Sequence, residues 1–174
     1  MRYRRSVVSG ATYFFTVNLA VRSQDTLIQH VDLLRDVFRS VRSRHPFDII
    51  AMVVLPDHLH TIWQLPANDA DYPLRWSLIK SGFSRSLPKL ERIRDSRRFK
   101  RERGVWQRRY WEHQLRDDRD LQTHVDYIHF NPVEHGQVVN PVDWLHSSIH
   151  RYIVSGQLSS HWAEGVLNNG SFGE

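Results

Sequence analysis

Val53-Val54-Leu55-Pro56-Asp57-His58-Leu59-His60-Thr61-Ile62-Trp63 is the stretch on which the fold turns. Pro56-Asp57 is turn chemistry between two runs rich in β-branched and aromatic residues, so the spacing predicts a hairpin of strands over 47–55 and 58–65. Side chains alternate across a strand. His58 and His60 therefore share one face, and Leu59 points to the other. Two imidazoles one strand pitch apart can chelate a single metal ion and leave coordination positions open. Taken alone, such a pair is more often two surface histidines, so its meaning depends on the rest of the chain.

Upstream, Thr12-Tyr13-Phe14-Phe15-Thr16-Val17-Asn18-Leu19-Ala20-Val21 predicts a first strand. Leu27, Val31, Leu34, Phe38 and Val41 then form the apolar stripe of a helix, which Pro46 ends. Downstream, Leu74, Leu78, Ile79, Phe83 and Leu87 mark a second helix, and a further strand is expected within 106–115. Strand, helix, strand, strand, helix, strand is the order of an α+β, ferredoxin-like (split βαβ) antiparallel sheet. Helices should cover one face. By alternation Leu59 belongs to that face, which leaves His58 and His60 on the other, expected to be open.

The 174 residues suit one domain, expected over 1–155, with a basic arm at 1–10, a basic flexible segment at 91–104 and a tail at 156–174. No cysteine is present, which excludes disulfides, thiolate metal sites and a cysteine nucleophile. Met1-Arg2-Tyr3-Arg4-Arg5-Ser6 does not read as a secretory leader, and no apolar run reaches the ~20 residues of a membrane span. A soluble, cytoplasmic protein with no membrane partner is the expectation.

The formal net charge is +5, and only three of the 24 basic residues are lysines (Lys80, Lys89 and Lys100); the rest are arginines. A planar guanidinium matches phosphates and base edges and stacks on rings, so a nucleic-acid partner is indicated. Two stretches are candidates for the contact. One is the arm with Arg2, Tyr3, Arg4 and Arg5. The other is Trp106, Arg108, Arg109, Tyr110 and Trp111, which follows the basic segment and interleaves arginine with aromatics as single-strand binding requires.

Asp117-Asp118-Arg119-Asp120 reads as a helix start, and Pro132 predicts that this helix ends or kinks close to Asn131. Tyr127 and Asn131 are four apart, hence neighbours on one helix face, with His124 one turn before Tyr127. A helical tyrosine can attack a phosphodiester when a metal polarises the phosphate, despite a phenol pKa of about 10. His58 and His60 supply two nitrogen ligands and the Asn131 amide oxygen a third, with open positions suited to Mg2+ or Mn2+. Which of Asn131, His124 or His135 approaches the metal stays open at this level.

Three blocks together carry a resemblance: Val54-Leu55-Pro56-Asp57-His58-Leu59-His60, Trp106-Gln107-Arg108-Arg109-Tyr110-Trp111-Glu112-His113, and Tyr127-Ile128-His129-Phe130-Asn131-Pro132-Val133-Glu134-His135-Gly136. The first resembles the histidine–hydrophobic–histidine motif of the single-tyrosine HUH nucleases. The set is similar to the REP-associated tyrosine transposases, over nearly the whole chain. That resemblance implies His58, His60 and Asn131 as metal ligands and Tyr127 as nucleophile. It implies a metal-dependent single-stranded DNA endonuclease and strand transferase acting on REP-type hairpins through a 5′-phosphotyrosine intermediate, working as a monomer, with the N-terminal arm reading the hairpin foot. The basic segment at 92–103 is longer than the family pattern. The alternative from another class is a non-catalytic nucleic-acid-binding module. A 2H phosphoesterase lacks its second His-x-Thr/Ser motif here, and a structural zinc site lacks two further strong ligands.

Overall fold

Tyr13, Phe15 and Val17 alternate with Phe14, Thr16 and Asn18 along β1 (Thr12–Asn18), and that parity divides the molecule into two layers. The computed structural model describes residues 7–88 and 103–162, so Arg2, Tyr3, Arg4, Arg5 and the segment 91–102 lie outside the described residues. After β1 come α1 (Thr26–Gln29), α2 (Val31–Arg44), β2 (Asp48–Val54), β3 (His58–Gln64), α3 (Tyr72–Ser86), β4 (Trp111–Gln114), α4 (Asp118–Glu134) and, past a 3-10 turn, α5 (Ile149–Val154). The sheet order is β2-β3-β1-β4 with every neighbouring pair antiparallel. This is the expected α+β split βαβ arrangement. The helix predicted from Leu27 to Val41 is divided at His30 into α1 and α2, yet Leu27, Leu34, Phe38 and Val41 all stay buried in one cluster.

On the first face α2 and α3 pack over Tyr13, Phe15, Val17, Leu59 and Trp63, with Trp76 stacked on Trp63 at 4.3 Å between ring centroids. The N-cap Asp71 side chain accepts from Leu74 N at 3.0 Å, satisfying a free helix amide. Arg75, buried in the first turns of α3, forks onto both Asp69 oxygens at 3.0 and 2.7 Å and donates to the carbonyls of His45, Pro46 and Asp71. A guanidinium so fully paired ties α3 to the α2–β2 connection.

The second face is not open, contrary to the sequence expectation. Val125 and Ile128 of α4 bury against Phe14, Ala51, Val53 and Ile62, which are apolar and would otherwise be wet. A bulge at Ile50 lets Ile49 face the first layer and Ala51 the second. Nor does α4 stop at Asn131. Pro132 lies in its last turn, where one missing amide costs a single bond, and helix geometry continues to Glu134. Gly136, at φ 63°, then closes a Schellman motif in which Gln137 N donates to Pro132 O and Gly136 N to Val133 O, both at 2.9 Å.

His129 points from α4 to the opposite side from Tyr127, fully buried, with Nε2 2.9 Å from Ser148 Oγ, which also accepts from Met52 N. Burial, reinforced by the charges of Arg151 and His150, pulls its pKa from 6.5 down to about 4. The folded value lies below the unfolded one, so the fold favours the neutral ring. That stability is complete above about pH 6.5 and is lost as pH falls toward 4, by roughly 3 kcal/mol across the window. Thermal melts between pH 7 and pH 4 should show a falling Tm, and the fall should be shallower in His129→Gln.

Candidate active site

The sheet register puts His58 opposite Asn18 and His60 opposite Thr16, on the face that α4 crosses. Asp57, in the turn just before β3, accepts from His58 Nδ1 at 2.6 Å, because a carboxylate has no proton to give. Arg22 donates to the other Asp57 oxygen and, through Nη1, to Asn18 Oδ1 at 3.0 Å. His58 is thereby held with its proton on Nδ1 and its lone pair on Nε2. Thr16 Oγ1 lies 2.9 Å from His60 Nδ1, while His60 Nε2 is buried and has no partner among the described residues.

Electrostatics keep both rings neutral. Burial lowers the His60 pKa well below its ordinary value, helped by the charges of His58, His135 and Arg22. Burial also lowers His58, against the opposing pull of Asp57. Burial works to raise Asp57, but the hydrogen bonds from His58 and Arg22 outweigh it and hold its carboxyl below the usual range. Neutral imidazoles with lone pairs on Nε2 are what a metal ion requires.

The α4 helix supplies the opposite wall. The Tyr127 ring stands edge-on to His60 at 5.2 Å, and the His135 ring lies 4.8 Å from His58. Phe14 is a platform beneath them, 5.5 Å from His60, 5.9 Å from Tyr127 and 4.8 Å from His124. These side chains, with Thr16, Asn18, Arg22, Trp111 and Thr123, line a cavity of about 600 Å³. Asn131 does not line it. Its side chain is fully buried one turn beyond Tyr127, and both amide atoms lack a partner among the described residues. An orphaned buried amide costs about 1–3 kcal/mol, and an ion ligated by its oxygen would recover that. His60 Nε2 and His58 Nε2 are donors of a kind that fits a divalent cation, and the Asn131 amide oxygen is a third of suitable chemistry from outside the cavity lining.

The sequence candidates separate here. His58, His60, Tyr127 and Trp111 share one cavity, and half of Trp111 is exposed. Trp106 and Tyr110 lie away from that cavity and pack against the first-face core, Trp106 against Phe83 at 5.4 Å and Tyr110 beside Trp76 at 5.7 Å. Both also border a groove with Lys80, Arg103 and Arg108. Strand parity explains the split, since Tyr110 and Glu112 point one way and Trp111 and His113 the other. Arg108 and Arg109 are exposed, and Arg108 lines a separate groove with Lys80, Arg85 and Arg103 rather than the Tyr127 cavity.

Sequence reading missed Asp57 and Arg22, although an acid next to a paired histidine is a usable signal. It also missed a cluster beside the cavity. His113, Asp120 and His124 bring one donor atom each within 4.8 Å of one another, a grouping of the kind able to hold a metal ion. Asp120 accepts from His113 Nε2 at 3.0 Å and from Arg116 Nε at 3.1 Å. No described helix is long and apolar enough to cross a membrane.

No protein-family model matches the chain. It is 40% identical over 166 residues, 95% of this chain and 93% of the relative, to the REP-associated tyrosine transposase of Escherichia coli K12. It is 41% identical over 161 residues, 92% of each chain, to a Haemophilus influenzae protein bearing the same family name. A solved structure of a REP-associated tyrosine transposase bound to a REP hairpin superposes with a TM-score of 0.81 at 39% identity, covering 93% of this chain and 90% of that one.

The carboxylate behind His58 sets both the tautomer and the orientation of the ring. Asp57→Asn should weaken Mn2+ binding by about 10–100-fold, read by calorimetry, with the thermal melt little changed.

Proposed function

Because the chain belongs to the REP-associated tyrosine transposases, we propose that it cleaves single-stranded DNA at REP-type hairpins by covalent catalysis through Tyr127. The enzyme is a tyrosine transposase. One observation carries the reading of its site: the Tyr127 ring lies 5.2 Å from His60, over a pair of neutral imidazoles one of whose buried nitrogens has no partner among the described residues.

Tyr127 Oη attacks the scissile phosphorus, a 5′-phosphotyrosine bond forms, and the 3′ oxygen leaves as a free hydroxyl. Rejoining is the same step reversed, with the phenolate as leaving group. His58, His60 and Asn131 would hold the cation. A bound Mg2+ or Mn2+ supplies Lewis-acid polarisation of the phosphate oxygens. Two imidazoles in the donor set favour Mn2+ over Mg2+, which prefers oxygen ligands. Exposed Trp111 at the cavity rim offers a stacking face for a nucleobase, worth about 1–3 kcal/mol. Arg108 and Arg109 remain candidates for phosphates further along the strand, and the arm of Arg2, Tyr3, Arg4 and Arg5 for the hairpin foot. Tyr127 and both histidines come from one chain, which supports a monomer acting in cis.

The test is incubation of labelled single-stranded DNA carrying a REP hairpin with the protein and Mn2+, followed by denaturing electrophoresis. A metal-dependent covalent band is expected, absent in Tyr127→Phe and reduced at least about 10²-fold in His60→Ala. Tight binding without an adduct would instead make the chain a non-catalytic hairpin-binding module.

A further inference from the structure

The Tyr127 phenol carries a proton at neutral pH by its ordinary chemistry, and attack on phosphorus requires that proton to leave. Among the described residues lining the cavity, the basic side chains are unequally available. His58 and His60 are assigned to the proposed cation, His135 lies against His58, and Arg22 is engaged by Asp57 and Asn18. His124 remains.

His124 lies one turn before Tyr127 on α4, and its ring shares the cavity with the phenol. Its Nδ1 is 2.8 Å from the backbone carbonyl of Asp120 and 3.2 Å from the Asp120 carboxylate. Both oxygens can only accept, so Nδ1 carries the hydrogen and the basic lone pair falls on Nε2. Asp120 is itself fixed, by Arg116 and by His113, whose ring stacks on His124 at 5.0 Å between centroids. A histidine with one nitrogen tied to an acid and its ring lining the same cavity as a nucleophile is suited to act as a general base. The grouping that could hold a cation is thus already closed by hydrogen bonds.

We propose that His124 is the proton acceptor for Tyr127, with Asp120 and His113 as its positioning residues. As the Oη–P bond forms, the phenol proton passes to His124 Nε2, and the carboxylate of Asp120 faces the resulting imidazolium. The P–O3′ bond breaks with its electron pair on the 3′ oxygen, which takes a proton from water. In rejoining, the 3′ hydroxyl attacks and gives its proton to water, the P–Oη bond breaks, and His124 returns a proton to the phenolate. This assignment rests on Tyr127 being the nucleophile.

The test is single-turnover adduct formation by wild type, His124→Ala and His124→Gln, each with Tyr127 and with 3,5-difluorotyrosine at that position, whose phenol ionises far more readily. With the natural tyrosine, the His124 variants should form adduct about 10²–10⁴-fold more slowly while hairpin affinity is unchanged. With difluorotyrosine the deficit should shrink to within about tenfold, because an ionised nucleophile needs no base. An equal deficit with both nucleophiles would make His124 merely structural, and variants as fast as wild type would remove it from the reaction; either overturns the proposal. So would a second Mn2+ per chain, seen by calorimetry and lost in His113→Ala, since His124 would then be a ligand. No adduct from wild type with either nucleophile would instead bring down the Tyr127 reading itself.

Discussion

The register of β3 against β1 is the constraint on which the molecule depends. Side chains repeat every two residues along a strand, so a slip of one position would drive His58 and His60 into the α2–α3 core and expose Leu59 in their place. The register is held from both sides. Leu59 and Trp63 anchor one layer, and Ile62 anchors the other against Phe14 and Ala51. At the turn, Leu55 N donates to His58 O and Leu19 N to Asp57 O, both at 2.8 Å, so the approach to His58 is pinned as well.

The same desolvation that makes a core also makes this site. Burial keeps His58 and His60 neutral, and the bonds to Asp57 and Thr16 leave each ring a nitrogen for another partner. The buried Arg75 guanidinium shows the opposite case, a charged group fully paired. Among the described residues His60 Nε2 and the Asn131 amide lack hydrogen-bond partners, as Trp76 Nε1 and His129 Nδ1 also do, and of these residues only His60 lines the Tyr127 cavity. Such local departures from complete hydrogen bonding are characteristic of functional sites.

Much of this was readable from residue order. The hairpin at Pro56-Asp57, the shared face of His58 and His60, and the start of α4 at Asp117 all follow from short-range rules of turn chemistry, alternation and capping. Composition reports that arginine and aromatics are interleaved, not which rings point inward: Trp106 is buried against Phe83 while Trp111 is half exposed. The second face was expected to be bare because the apolar stripe of α4 names no partner until a sheet is placed beneath it. Pro132 was assigned too strong a veto: within the last helical turn its cost is small, and Gly136 completes the cap.

By itself the sequence determined the α+β order of elements, the pairing of the two histidines on one strand face, and the helical spacing of His124, Tyr127 and Asn131. Those are properties of neighbours along the chain, governed by periods of 2 and 3.6 residues. Only the tertiary structure decided that the helix and strand face one another across a cavity, that Arg22 reaches Asp57, and that His113, Asp120 and His124 converge. Such contacts join residues far apart in sequence, and their geometry is set by how two layers pack on one sheet, which no local period encodes.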